Sequence, residues 1–334
     1  MRWARAGGGR EEASRLQATG ARALGQFSVT EPTRWIYARL WDELSVWAAR
    51  RQAVSTIPTV DTLRAERMDQ QYLPGRSPGR GSYRVAAVNF MIPLCTQVEL
   101  GLPFTYQALR GWRWKAPPHS RLPLPGALPW GGVALIARAL PVEGRRRRAM
   151  YVSMTFMCYL RPSEALRVCG EALTRPIPGT RYRHWTLCLH PREQGTPSKT
   201  QVYDEVLPFD LEVYRFIETG LDRLKRGTPH GERLFNFALP EATAAFVEAA
   251  STVGLRTLSP HLAQLRHSGP SVELALKLRT LEAVKLRGRW KSDGSMARYL
   301  KEGRVGEQLQ RLPPVVRARA LAAPARLPAL LARR

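Results

Sequence analysis

The 334-residue chain carries 52 Lys and Arg against 27 Asp and Glu, a formal charge of +25, and its pI is near 11.0. A field of that sign repels cationic partners and draws polyanions, since arginine forks pair with phosphate oxygens and release condensed counterions; arginine-rich coding feeds the same excess. With 44% hydrophobic residues the composition excludes a disordered polymer, and the length suits two domains with true cores.

No run of 18 apolar residues is present, and the start MRWARAGGGREEASR places glutamates where a signal peptide needs an apolar stretch. The expectation is a soluble, intracellular protein with no membrane contact. Cys95, Cys158, Cys169 and Cys188 show no C-x-x-C spacing and read as reduced core residues.

Taken in order, residues 1–29 are rich in Gly, Ala and Arg without a sustained period, which predicts a disordered arm. From Glu31 the pattern turns helical, with Pro32 suited to a first turn and Ile36, Leu40, Leu44 and Trp47 at helical spacing. Shorter helices are predicted over Thr59–Tyr72, Tyr83–Val98 and Thr105–Trp112, and Pro93 predicts a kink or break near Met91. Residues 30–112 thus form a helical bundle. Residues 113–132 (RWKAPPHSRLPLPGALPWGG) hold too many prolines and glycines for regular structure and read as a linker.

Beyond it, Val133–Leu140 and Arg146–Leu160 read as helices, the second opened by the basic run GRRRR, which suits a solvated helix start, a DNA-backbone contact or a nuclear-import signal. In YLRPSEALRV, Pro162 suits a first helical position, so Arg161 falls at a helix junction with Glu164 three residues on. The stretches 182–190 and 201–209 alternate like strands and form a hairpin, with Lys199 where the second strand begins. Helices follow over Leu211–Lys225 and Pro240–Val253. Residues 265–302 then carry two short packed helices, the second starting near Thr280. The fold class expected is mainly α with a small β-hairpin (α+β).

Polar landmarks fall at the ends of that last stretch: Arg266 beside His267, a Gly-Arg-Trp step ending at Trp290, and Tyr299. The order Arg161, Lys199, Arg266, Trp290, Tyr299 resembles, in type and spacing, the active site of the tyrosine recombinase (phage integrase) family. Arg161 and Arg266 lie 105 positions apart, Arg266 and Trp290 24, and Trp290 and Tyr299 9. The resemblance covers about residues 30–305. It implies a core-binding domain over 30–112, a catalytic domain over 133–311 and a basic tail over 312–334 that docks on a neighbouring protomer.

The same resemblance implies a DNA strand transferase working without metal, cofactor or ATP. Tyr299 would attack the phosphodiester and hold a 3′-phosphotyrosyl link, while Arg161 and Arg266 clamp the phosphate. Lys199 would protonate the leaving 5′ oxygen, Trp290 would face the phosphate or buttress the site, and Glu164 would orient Arg161. The implied partners are double-stranded DNA and further copies of the chain, as a dimer or tetramer on DNA; the expected place is inside the cell with DNA, the nucleus in a eukaryote, as GRRRR suggests, and otherwise the cytoplasm or nucleoid. One position departs: three residues before Arg266, where the family has histidine, stands Ala263. His261 and His267 are the substitutes at hand. The alternative reading is a catalytically impaired, recombinase-derived DNA-binding protein.

Overall fold

The computed structural model describes residues 28–50, 57–74, 76, 78–96, 101–115, 127–195, 198, 202–297 and 302–332. The chain divides into two units, Met1–Leu122 and Pro123–Arg334. The arm expected over residues 1–29 lies, up to residue 27, outside the described residues.

The first unit is helical. Helix α1 (Glu31–Arg50) has Glu31 in its first turn and Arg50 in its last, each matched to the sign of the helix end it occupies. Helices α2 (Ile57–Tyr72), α3 (Pro78–Thr96) and α4 (Pro103–Lys115) follow, with α1 against α3 and α2 against α4. Their apolar stripes meet in two small cores, one of Leu44, Val88, Ile92 and Leu102, the other of Met68, Val85, Leu109 and Trp112. The buried Asp61 carboxylate of α2 accepts from the backbone N–H of Phe104 at 2.9 Å and of Thr105 at 2.8 Å, satisfying two orphan donors at the start of α4. Of the kink or break expected near Met91, the break does not occur. Pro93 falls in the last turn of α3, where the one backbone bond its missing N–H forfeits has little helix beyond it to release, and α3 continues to Thr96.

The stretch expected as a linker over 113–132 is entered by helix from both sides, α4 ending at Lys115 and α5 (Trp130–Ala139) beginning inside it. Residues 116–126 lie outside the described residues. In the second unit, α5 is buried along Val133–Ala137 and packs on α6 (Arg145–Met157), which starts from a left-handed Gly144. Of the GRRRR run, Arg148 pairs with Glu241, while Arg145, Arg146 and Arg147 line a cavity of about 680 Å³ together with Arg223.

After the single turn α7 (Pro162–Ala165) come strands β1 (Leu173–Thr174), β2 (Thr186–Leu189) and β3 (Glu205–Pro208), an antiparallel sheet in the order β1-β2-β3. Leu173 pairs with Leu187, Thr186 with Pro208 and Leu189 with Glu205, which turns Leu187, Leu189 and Leu207 into the core. The hairpin read from the alternation is β2–β3. Strand β1 is two residues long, too short to show a period. Where one helix was expected over Leu211–Lys225, a 3-10 turn (Glu212–Ile217) leads into α8 (Glu218–Arg226).

Helices α9 (Leu239–Thr252), α10 (Leu265–Ala275), α11 (Leu281–Gly288), α12 (Asp293–Ala297), α13 (Glu302–Gln310) and α14 (Pro314–Ala332) complete the unit. Thr280 caps α11 as expected, its hydroxyl accepting from Ala283 N at 3.2 Å. The stretch expected as a basic tail is largely α14, which lies along α5 in this same unit. It buries Ala320, Ala323, Leu327 and Leu331, a helical stripe that Pro324 and Pro328 obscure in the sequence. No helix among the described residues is long and apolar enough to cross a membrane.

Candidate active site

The site grows from the end of α6. There the chain turns through Tyr159 in the left-handed region (φ 50°). Arg161 then adopts extended backbone and Pro162 opens α7. Because proline fixes the first helical φ, Glu164 falls at the third helical position, where its side chain reaches back. Its Oε2 accepts from Arg161 N at 2.9 Å, and its Oε1 accepts from the Arg161 guanidinium. The Arg–Glu pair read from the sequence as a helix-terminal unit is therefore half of a capping box: Glu164 accepts from the Arg161 backbone N–H, while the guanidinium, which has no acceptor, donates to the same carboxylate. Arg161 keeps 38% of its side chain exposed while Glu164 keeps 8%.

Arg266 arrives from the first turn of α10. That helix approaches α6 so closely at Gly269 that a Cβ there would stand 2.1 Å from the Phe156 carbonyl oxygen. The close approach sets Arg266, only 6% exposed, against the α6 terminus. Its Nη1 donates to the Tyr159 carbonyl at 2.6 Å and its Nη2 to the Gly288 carbonyl at 3.0 Å. Nη1 also lies 3.6 Å from Glu164 Oε2. Arg161 and Arg266 thus converge on one carboxylate.

Trp290 packs behind them. Its ring lies 5.6 Å from the Arg266 guanidinium carbon and stacks on Tyr159 at 6.3 Å between ring centres. With Tyr159, Val284 and Met296 it forms a small apolar cluster, and its 8% exposure is that of a buttress. A side chain at Gly288 would meet the Trp290 ring at 1.8 Å, so the indole sits where only glycine leaves room. Met296 ties α12 to this cluster, three residues before Tyr299. Tyr299 and Lys199 themselves lie outside the described residues.

Two residues that sequence reasoning passed over join the cluster. Arg289 occupies the left-handed position that ends α11 (φ 58°) and donates to Glu164 Oε2 at 2.9 Å and to Glu205 Oε2, on β3, at 3.2 Å. The available signal was the Gly-Arg-Trp step itself, with an arginine where a helix end favours glycine or asparagine. Burial alone pushes the Glu164 carboxyl up, but Arg289, the Arg161 backbone N–H, and the charges of Arg161 and Arg266 together hold it down at about 2.

Behind Trp290 runs a second ionic network. Glu273 is fully buried, accepts from the Tyr159 hydroxyl and takes Arg279 Nε at 2.8 Å. Arg279 also pairs with Asp210, and Arg287 donates to the carbonyls of Met157 at 3.0 Å and Pro208 at 2.8 Å. Burial and the Glu273 carboxylate push the Tyr159 hydroxyl far above its ordinary range, so it serves as scaffold.

His267 is buried, at 1% exposure. His261 is half-buried and precedes the short turn Leu262–Gln264, its backbone N–H donating to Gln264 Oε1 at 2.7 Å. Burial lowers its pKa, favouring the neutral imidazole. Ala263 is exposed on that turn. Among the described residues no group of three or more His, Cys, Asp or Glu is placed to hold a metal ion.

No protein-family model matches the chain, and no curated protein matches it in sequence. In fold it is similar to the XerH site-specific recombinase, whose crystal structure is a post-cleavage complex with palindromic difH substrate. The TM-score is 0.57 at 16% identity, over 90% of this chain and 84% of that one. An alignment spanning both units at that identity reflects shared architecture: this chain has a tyrosine-recombinase-like fold, mainly helical with a small antiparallel sheet.

Proposed function

We infer that this chain is a DNA strand transferase that breaks and rejoins a phosphodiester through Tyr299, in the manner of a site-specific recombinase. The observation that carries the reading is the convergence of Arg161 and Arg266, 105 positions apart in the chain, on the single carboxylate Glu164, with Trp290 against Arg266. Two guanidiniums fixed in one place suit the non-bridging oxygens of a phosphate, whose charge rises as a fifth oxygen bonds to phosphorus.

In this reading the Tyr299 hydroxyl gives its proton to water as its oxygen attacks phosphorus, the bond to the 5′ oxygen breaks, and Lys199 supplies the proton that leaves with it. The 3′-phosphotyrosyl bond conserves the energy of the broken linkage. A 5′ hydroxyl from another strand then reverses the step, so exchange needs no nucleotide hydrolysis. The formal charge of +25 supports duplex DNA as the substrate, handled in the cell interior by several copies of the chain, as a mobile-element enzyme would do.

A second reading, a DNA-binding protein that keeps the fold without the chemistry, rests on the exposed Ala263 in place of a histidine. One experiment separates them. Incubated with a pool of nicked duplexes of random sequence, the full chain forms a covalent adduct that survives denaturant, and Tyr299→Phe abolishes it. Salt-sensitive DNA binding with no adduct across the pool would favour the second reading.

A further inference from the structure

We propose that Arg289 is a positioning residue that neutralises the carboxylates of the cluster, buried Glu164 and half-buried Glu205, so that Arg161 and Arg266 present net positive charge to an anion. The proposal rests on the reading of that cluster as a phosphate site, and it assigns work to a side chain that would not itself touch phosphate. Arg289 has 10% of its side chain exposed, and its two terminal nitrogens face carboxylates, Glu164 at 2.9 Å and Glu205 at 3.2 Å.

Charge makes the argument. Arg161, Arg266 and Arg289 surround Glu164 and Glu205, leaving one unit of positive charge in excess. Without Arg289 the same group is neutral. Glu164 would then be compensated by Arg161 and Arg266 alone, and the attraction for phosphate would fall in a poorly hydrated place where charge counts most.

Geometry adds a second reason. Glu164 belongs to α7, Glu205 to β3 and Arg289 to the end of α11, so one planar fork ties three elements together. Lysine, a point charge, could not bridge both oxygens in that way. The left-handed backbone at Arg289 is unfavourable for a residue with a Cβ, and the two carboxylate contacts offset it. The same turn delivers the Gly288 carbonyl to Arg266 and the Trp290 ring behind it.

The test titrates the full chain with inorganic orthovanadate, a phosphate analogue that needs no nucleophile, and follows the component of binding that Arg266→Ala removes. Arg289→Met should weaken that component about tenfold or more, and adding Glu205→Gln should restore most of it by removing one carboxylate charge. A purely structural role would not be rescued by that second change. Binding by Arg289→Met within about twofold of the parent overturns the proposal, as does a double variant no tighter than the single one. An absent Arg266-dependent component in the parent chain also overturns it. A chain that passes this test yet forms no covalent DNA adduct keeps the positioning role and loses strand transfer, so the two failures are separable.

Discussion

Glu164 shows how much one carboxylate can hold. It accepts from its own helix cap, pairs with Arg161 and Arg289, and stands within ionic range of Arg266. Removing its charge leaves buried guanidiniums uncompensated, so Glu164→Gln should destabilise the second unit by about 3–5 kcal/mol, measurable by denaturant unfolding. The pH dependence has a definite sign. The carboxyl sits at about 2 in the folded chain against 4.5 when unperturbed, so its contribution is complete above pH 4.5 and drains away as pH falls toward 2. The gap in melting temperature between the parent chain and Glu164→Gln should narrow across that window; a gap that stays constant would mean the carboxylate is not held by these arginines. Arg161, Glu164, Arg266 and Trp290 were legible because their types and spacings are unusual together. Arg289 and Glu205 were not: the Gly-Arg-Trp step marks the helix end but leaves the arginine's partner unspecified, because the two residues stand 84 positions apart.

At the level of elements, the site depends on how closely α10 meets the end of α6. Gly269 permits that approach, and Gly269→Ala would drive a methyl into the Phe156 carbonyl. The helices must separate, which should cost about 1–3 kcal/mol and move Arg266 away from the Tyr159 carbonyl, lowering DNA affinity alongside the melting temperature. Normal affinity in a destabilised Gly269→Ala would show that this contact does not set the site. Periodicity made the α1, α9 and α11 regions and the β2–β3 hairpin readable in advance. It failed for β1, whose two residues cannot alternate, and for the stretch expected as a basic tail, where Pro324 and Pro328 interrupt a stripe of Ala and Leu that packs on α5 as α14. Pro93 does not break its helix either: its effect depends on where in the helix it falls, and α3 ends three residues later.

For the whole molecule, two units and a strong positive charge frame the account. Limited proteolysis of the full chain should cut between residues 113 and 132 and release two protected fragments; a chain left whole there, under conditions that cleave within residues 1–29, would argue against independent units. Salt should weaken DNA binding steeply, but many basic proteins share that property, so it does not distinguish strand transfer from binding. Identifying the atom that holds the DNA can. Adducts formed on nicked duplexes would be digested with protease and nuclease, and the nucleotide-linked peptide sequenced by mass spectrometry. The prediction is a 3′-phosphate ester on the Tyr299 oxygen, within the peptide around MARYLKE. A linkage on any other residue, a 5′-phosphate, or no adduct at all would contradict it.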